Sequence, residues 1–383
     1  MLDPGYIAGL SDEFIELYAQ VERDITADIA RRINKTGYLT STAKWQLERA
    51  NQIGMLNKDV ASILSDATGL SKPAIRKLMS EAGYKALAAD DAIYSLAGFD
   101  KLTDFTKSDL MKSILLQGTD TTYKLMKNFT KTTSKTAVKA LENALDRAYL
   151  QVMSGAFTRE QAVKNAVNDL ARQGITKMAY PSGSSVSVEA GVRRAVTTGI
   201  NQTCAKLQLA RADELGSELV ETSSHSGARP SHAVWQGQIF SLKGGKGAKY
   251  PDFYGETGYG TGEGLCGWNC YHNFFPYVEG VSTRVFSQNP SEELGLTNEE
   301  AYEQSQKQRY YERRVREAKR RVAAYQGAAD SAQTPEEKAE YESLVKDAKK
   351  LVRSRQKSLR DYCKATGRDQ EYARTYVVGY NKP

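Results

Sequence analysis

Over residues 11–35 the apolar positions Phe14, Leu17, Tyr18, Val21, Ile25, Ile29 and Ile33 return at steps of three and four, which places them on one face of an amphipathic helix of about six turns. Gly37 ends that pattern, and Thr40 or Ser41 offers an N-cap for a second helix running to Gly54. Shorter helices are predicted over 59–68, 71–82, with Pro73 in its first turn, and 85–97. Leu141, Leu145, Ala148 and Val152 continue a helical stripe up to Gly155, and Thr158 with Gln161 forms a capping box for a helix to Arg172. Gly174, Pro181, Gly183 and the serines of 182–187 then mark a loop with a short hairpin, before a helix from Glu189 to about Leu215.

After Gly216 the pattern changes. "ELVETSSH" and "WQGQIFSL" read as short strands, and the stretch from Lys243 to Gly267 is too rich in glycine for the interior of a helix or strand. Two more helices follow, one opened by the Thr297/Glu300 capping box and one by Thr334, Pro335 and Glu337, with "YQGAADSAQ" as the turn between them. Their stripes, Tyr311, Val315, Ala318, Val322 and Tyr325 against Tyr341, Leu344, Val345, Ala348, Leu351 and Val352, predict an antiparallel hairpin with its Arg and Lys outward. The fold class is therefore mainly α with a small α+β module. The expected organisation is a helical N-terminal region (1–100), a helical middle region (101–188), a strand-and-loop module (189–287) and a basic C-terminal helical hairpin (288–383).

Composition narrows the function classes. At 383 residues, 40% hydrophobic and 26% charged, the chain suits more than one folded domain and excludes wholesale disorder or a collagen-like repeat. No apolar run approaches the roughly 18 residues of a membrane span, and "MLDPGYIAGLSDEF" lacks the regions of a signal peptide, so the expectation is a protein made in a cytosol, with no membrane span. Four cysteines (Cys204, Cys266, Cys270, Cys363) are too few for a disulfide framework and read as thiols or metal ligands. The formal charge is +7, and residues 299–383 hold twenty Lys and Arg against fourteen Asp and Glu, so most of the surplus sits in the last quarter. Such a tail could face phosphate, or it could be a solvated helix pair of alternating charge.

All three histidines fall in "HSGARPSHAVWQG" (225–237) and "GLCGWNCYHNFFP" (264–276), which also hold Cys266 and Cys270. Four chemistries fit. His232, Cys266, Cys270 and His272, with His225 as an alternative, have the residue types of a tetrahedral zinc site. A cysteine could be a nucleophile activated by a histidine. His225 or His232 beside Arg229 could act on phosphodiesters, with or without a metal, although the clustered carboxylates of a magnesium site are missing. Lastly, Trp235, Phe240, Trp268, Phe274 and Phe275 could form a small aromatic core in which the histidines and Asn269 satisfy buried backbone groups.

"VETSSHSGARPSHAVWQGQIFSL" followed by "GYGTGEGLCGWNCYHNFFPYVEG" resembles the signature of the phage minor capsid protein 2 family of tailed bacteriophages and prophages. "VERDITADIARRINKTGYLTSTAKWQLERA", "GVRRAVTTGINQT" and "QRYYERRVREAKRR" are similar to it as well, so the resemblance covers nearly the whole chain. It implies a structural virion component, not an enzyme, distantly similar to MuF-like head morphogenesis proteins. The implied place is the portal vertex or capsid interior, in several copies per virion, with roles in head assembly and genome packaging or delivery. The implied partners are portal protein, major capsid protein and packaged double-stranded DNA bound without sequence preference. On the MuF-like pattern Arg229 and His232 fall at a first pair of ligand places and Cys270 and His272 at a second, while Arg229, Trp235, Gly237, Trp268 and Asn269 belong to the structural core of the module. For DNA the expectation is Arg313, Arg314, Arg316, Lys319, Arg320 and Arg321; for the portal, the N-terminal amphipathic face of Phe14, Leu17, Val21 and Ile25.

Overall fold

The structure is a computed structural model that describes residues 2–37, 42–99, 102, 104, 107–174, 178–179, 185–244 and 249–375. Helix α1, Pro4–Gly9, is capped by Asp3, whose carboxylate accepts the Tyr6 N–H at 2.9 Å, and starts with proline where the missing N–H loses no hydrogen bond. α2, Asp12–Gly37, carries the predicted stripe, with Phe14, Tyr18, Val21, Ile25, Ile29 and Ile33 all buried. The face expected to meet the portal is thus turned to the interior. The Thr40 or Ser41 cap lies outside the described residues.

The four helices expected between residues 40 and 97 are instead one, α3, Thr42–Leu96, 55 residues long. It runs through Gly54, Gly69, Pro73 and Gly83. An interior glycine costs about 1 kcal/mol relative to alanine and a proline about 3 kcal/mol. Burying a large aliphatic side chain returns about 1.5–3 kcal/mol, and Leu56, Val60, Leu64, Ile75, Met79 and Leu87 are all buried along the helix. The stripe outweighs the breakers.

α4 spans Asp109–Met153 and α5 Arg159–Gln173. At the start of α5 the capping box is complete: Thr158 Oγ1 accepts the Gln161 N–H at 3.3 Å, and Gln161 Oε1 accepts the Thr158 N–H at 3.0 Å. The hairpin is present as β1, Met178–Ala179, antiparallel to β2, Ser185–Val186; Pro181 and Gly183 lie outside the described residues. α6, Val188–Leu215, leads into the strand module: β3, Leu219–Thr222; the one-turn α7, Pro230–Ala233; β4, Ile239–Ser241; α8, Phe253–Thr257; and β5, Phe274–Pro276. β3 is central in an antiparallel sheet of order β4-β3-β5, pairing Val220 with Phe240 on one side and Pro276 on the other. Strands this short need a covering element, and α6 contributes Ala205 to a core of Val220, Trp235, Phe240, Phe253 and Phe274.

α9, Asn298–Ala329, and α10, Pro335–Thr366, form the predicted hairpin. The Tyr311 ring packs at a tilt against Tyr362, 5.1 Å between centroids, and Val315 packs with Leu359 and Cys363, as antiparallel helices require. The turn is shorter than expected, because α9 continues past Gly327. A Cβ at Gly327 would stand 2.4 Å from the Ala27 carbonyl oxygen of α2, so this glycine serves a close helix crossing, not a turn.

The chain divides into two compact units. Residues 1–12, 70–126 and 193–307 form the first, and 13–69, 127–192 and 308–383 the second. Each is built from three separated stretches, and the linear segments read from the sequence contribute as follows: 1–100, 189–287 and 288–383 to both units, and 101–188 likewise. The strand module with its histidines belongs to the first unit, and the α9–α10 pairing to the second.

Candidate metal centre

The centre is built by two excursions from β3. The first leaves through Ser223 and Ser224 and enters α7, where Pro230 starts a single turn that turns His232 inward to 2% exposure. The second is the loop between α8 and β5. Here glycine is needed for close approach: a Cβ at Gly264 would stand 2.0 Å from the Gly258 carbonyl oxygen, and one at Gly267 would stand 2.5 Å from that of Gly262. Cys266 and Asn269 adopt left-handed backbone with φ of 58° and 52°, a conformation that costs a non-glycine residue about 1 kcal/mol or more. α6 holds this knuckle in place. The Asn269 N–H donates to Thr198 Oγ1 at 3.1 Å, and Asn201 Nδ2 donates to the carbonyls of Cys270 at 3.2 Å and His272 at 2.9 Å.

Three of the five predicted ligands converge. His232 Nδ1 and His272 Nδ1 are 3.4 Å apart, and Cys270 Sγ lies 3.7 Å from the first and 3.6 Å from the second. All three side chains are buried, and they are the one group among the described residues whose ligand atoms gather closely enough to hold a metal ion. The outer nitrogens are also engaged: His232 Nε2 meets the Glu263 carbonyl at 2.7 Å and His272 Nε2 meets Gln236 Oε1 at 3.0 Å. Cys266 stays outside this group; its thiol sits in the apolar core and points to the His272 carbonyl at 3.6 Å. His225 stands beside the group, its ring 4.4 Å from that of His272 and its Nδ1 3.1 Å from the Ser226 carbonyl.

Burial sets the electrostatics. It lowers His232 to about 4 and holds His272 well below its usual value, with the neighbouring Arg229 and His225 adding to both, so the imidazoles are neutral at neutral pH. It pushes the Cys270 thiol up to about 11 and Cys266 well above the usual thiol value. A thiol so raised is a poor nucleophile, which weighs against the cysteine-nucleophile chemistry, whereas neutral imidazoles and a soft sulfur suit a metal.

The structural residues divide. Trp235 is buried and packs against both His232 and His272, and Gly237 has φ of 62° with the Ser287 carbonyl oxygen 2.5 Å from where a Cβ would stand. Trp268, expected in the aromatic core, is 53% exposed; its ring covers Gly262 and its carbonyl accepts from the Arg229 guanidinium. The indole lies at the loop surface between Gly262 and the Arg194 guanidinium, 6.0 Å from the ring centroid, instead of in the core. Asn201, Thr198 and Gln236 were missed. The available signal for Asn201 is a polar residue within the apolar stripe of Val192, Val196, Ile200 and Cys204, all buried on α6.

The basic run of α9 does not stand outward as expected. Lys319 is buried and donates to the Thr375 carbonyl; Arg316 donates to the Arg374 carbonyl; Arg320 pairs with Glu22 at 3.4 Å; Arg314 and Arg321 both pair with Glu317; Arg313 is exposed. Most of these cations are consumed by contacts within the second unit. α9 exposes Lys307 and Arg313, whereas α10 exposes a longer series that includes Lys346, Lys349, Arg353, Arg360 and Lys364.

Against known proteins, the family model described as phage minor capsid protein 2 matches residues 2–364. The chain belongs to that family. It is similar to a structural protein of Lactococcus phage LL-H, 26% identical over 295 residues that make up 73% of this chain and 77% of the relative. It is also similar to a structural protein of Lactococcus phage mv4, 45% identical over 76 residues, 20% of this chain and 58% of the relative. No solved structure matches it. This minor capsid protein is a structural component of a phage particle, and no helix among its described residues is long and apolar enough to cross a membrane.

Proposed function

We propose that this minor capsid protein works at the portal vertex or in the capsid interior, in several copies, where it contacts portal or major capsid protein and packaged DNA and serves head assembly and genome delivery. The observation that supports DNA contact is the outer surface of α10. Between 346 and 364 its exposed acids are Asp347 and Asp361, which pair with Lys350 and Lys357, while Lys346, Lys349, Arg353, Arg360 and Lys364 remain toward solvent. A row of this kind meets phosphates without reading bases.

Binding to double-stranded DNA should therefore be indifferent to sequence and fall steeply with salt, the slope of log K against log salt being about 0.9 per phosphate neutralised. Replacing Lys346, Lys349, Arg353 and Arg360 by Gln should flatten that slope by up to about 3–4, and Arg313→Gln by no more than about 1. An unchanged slope in the fourfold variant would refute DNA contact through α10. For the location, cross-linking within purified particles should join this chain to portal protein; links confined to tail proteins would contradict it.

The competing reading, a metal-dependent nuclease using His225, His232, Cys270 and His272, has less support. The three gathered ligands are 1–2% exposed, out of reach of a phosphodiester, and no carboxylate joins them among the described residues. Plasmid incubated with the protein and magnesium, manganese or zinc should stay intact; cleavage abolished by His232→Ala would establish the nuclease.

A further inference from the structure

We propose that His232 Nδ1, His272 Nδ1 and Cys270 Sγ bind one zinc ion, with Cys266 and His225 outside the coordination sphere. A tetrahedral zinc with Zn–N of about 2.05 Å and Zn–S of about 2.3 Å separates two nitrogens by about 3.3 Å and a nitrogen from a sulfur by about 3.6 Å. The triangle formed here measures 3.4, 3.6 and 3.7 Å. Three side chains brought from α7 and from the loop before β5 thus already stand where zinc requires them.

The hydrogen bonds around the site fix the ring protons in the sense that zinc needs. His232 Nε2 faces a carbonyl oxygen, which can only accept. His272 Nε2 faces Gln236 Oε1, and that amide is oriented by its other end, where Gln236 Nε2 donates to the Gln288 carbonyl at 3.1 Å and Oε1 also accepts the His225 N–H at 3.2 Å. Both protons therefore sit on Nε2, and two Nδ1 lone pairs point at each other within a buried pocket. The one thiol proton of Cys270 can answer only one of them. A cation at the centre answers both, and on binding the thiol proton leaves to solvent while sulfur becomes a thiolate ligand. Two imidazoles, one thiolate and tetrahedral spacing select zinc among common divalent ions. Cys266 Sγ is not among the ligand atoms that gather at the centre but points to the His272 carbonyl, and His225 Nδ1 is turned to the Ser226 carbonyl.

The full-length protein, purified without added metal, should carry about one equivalent of zinc by elemental analysis. Exchange for cobalt(II) should give the intense visible bands of a tetrahedral ion and a thiolate-to-cobalt charge-transfer band. Cys270→Ser should abolish the charge-transfer band; Cys266→Ala and His225→Ala should keep both the zinc and the band. The wild-type measurements stand even where a ligand variant fails to fold. Less than about half an equivalent of zinc, copper in its stead, or octahedral cobalt would overturn the proposal. Loss of the band in a folded Cys266→Ala or His225→Ala protein would overturn the three-ligand assignment.

Discussion

Asp90 of α3 is 1% exposed, and its Oδ2 accepts from Gln208 Nε2 at 3.0 Å. The same Gln208 amide donates to the Phe274 carbonyl of β5 at 2.7 Å, so the carboxyl is tied to the strand that follows the His–Cys loop. Burial pushes this carboxyl up from 3.8 to about 8, more than the Gln208 hydrogen bond lowers it. The folded chain therefore keeps a proton on Asp90 across a pH range in which the unfolded chain has lost it. For an acid whose folded value is raised, stability is unaffected below the unfolded value, falls as pH rises through the window between the two values, and levels off above the folded one. The slope in that window is about 1.4 kcal/mol per pH unit. Between about pH 5.5 and about pH 7.5 the wild type should lose up to about 3 kcal/mol through this group. Asp90→Asn keeps an acceptor for Gln208 and removes the titration. Urea unfolding of both proteins across this range isolates the group, since every other titrating residue is common to the pair. The variant should gain on the wild type as pH rises. A difference between the two that stays constant over the range would show that Asp90 is not held protonated in the folded chain.

Other substitutions test packing. Gly54→Ala should stabilise by up to about 1 kcal/mol, because nothing lies within 4 Å of the added Cβ inside α3; a lower melting temperature would contradict this. Gly264→Ala should cost more than about 3 kcal/mol and loosen the loop that carries Cys270, since the methyl would collide with the Gly258 backbone; wild-type thermal stability would contradict it. Gly327→Ala should cost about 2 kcal/mol or more by prising α9 from Ala27, read as a drop in urea midpoint, and an unchanged midpoint would refute the close crossing. Arg320→Ala, which takes the guanidinium from the nearly buried Glu22, should destabilise by about 1–3 kcal/mol, whereas Arg313→Ala at an exposed position should stay within about 0.5 kcal/mol; equal effects would contradict the inward placement of the run.

Features fixed by neighbours in sequence were legible before the structure. The Thr158/Gln161 and Thr297/Glu300 caps, the α2 stripe and the hairpin of α9 and α10 all rest on spacings of three or four residues, and all appear where those spacings put them. What was not legible depends on partners far along the chain. Gly54, Gly69 and Pro73 look like breaks until the burial of Leu56 to Met79 is known. The run from Arg313 to Arg321 looks like a free basic face until Glu22 and the carbonyls of Arg374 and Thr375 are seen to occupy it. At the centre, residue type alone named His232, Cys270 and His272 together with Cys266 and His225. Only the folded loop, with left-handed backbone at Cys266 and Asn269, decides which three meet.

As a minor capsid protein, this chain is a built-in part of the phage particle. Quantitative mass spectrometry of gradient-purified particles tests it most directly. The protein should co-sediment with intact heads at a fixed ratio to portal protein, and should stay with them through a high-salt wash. Its absence from particles, with the protein found only in the soluble lysate of infected cells, would contradict the account.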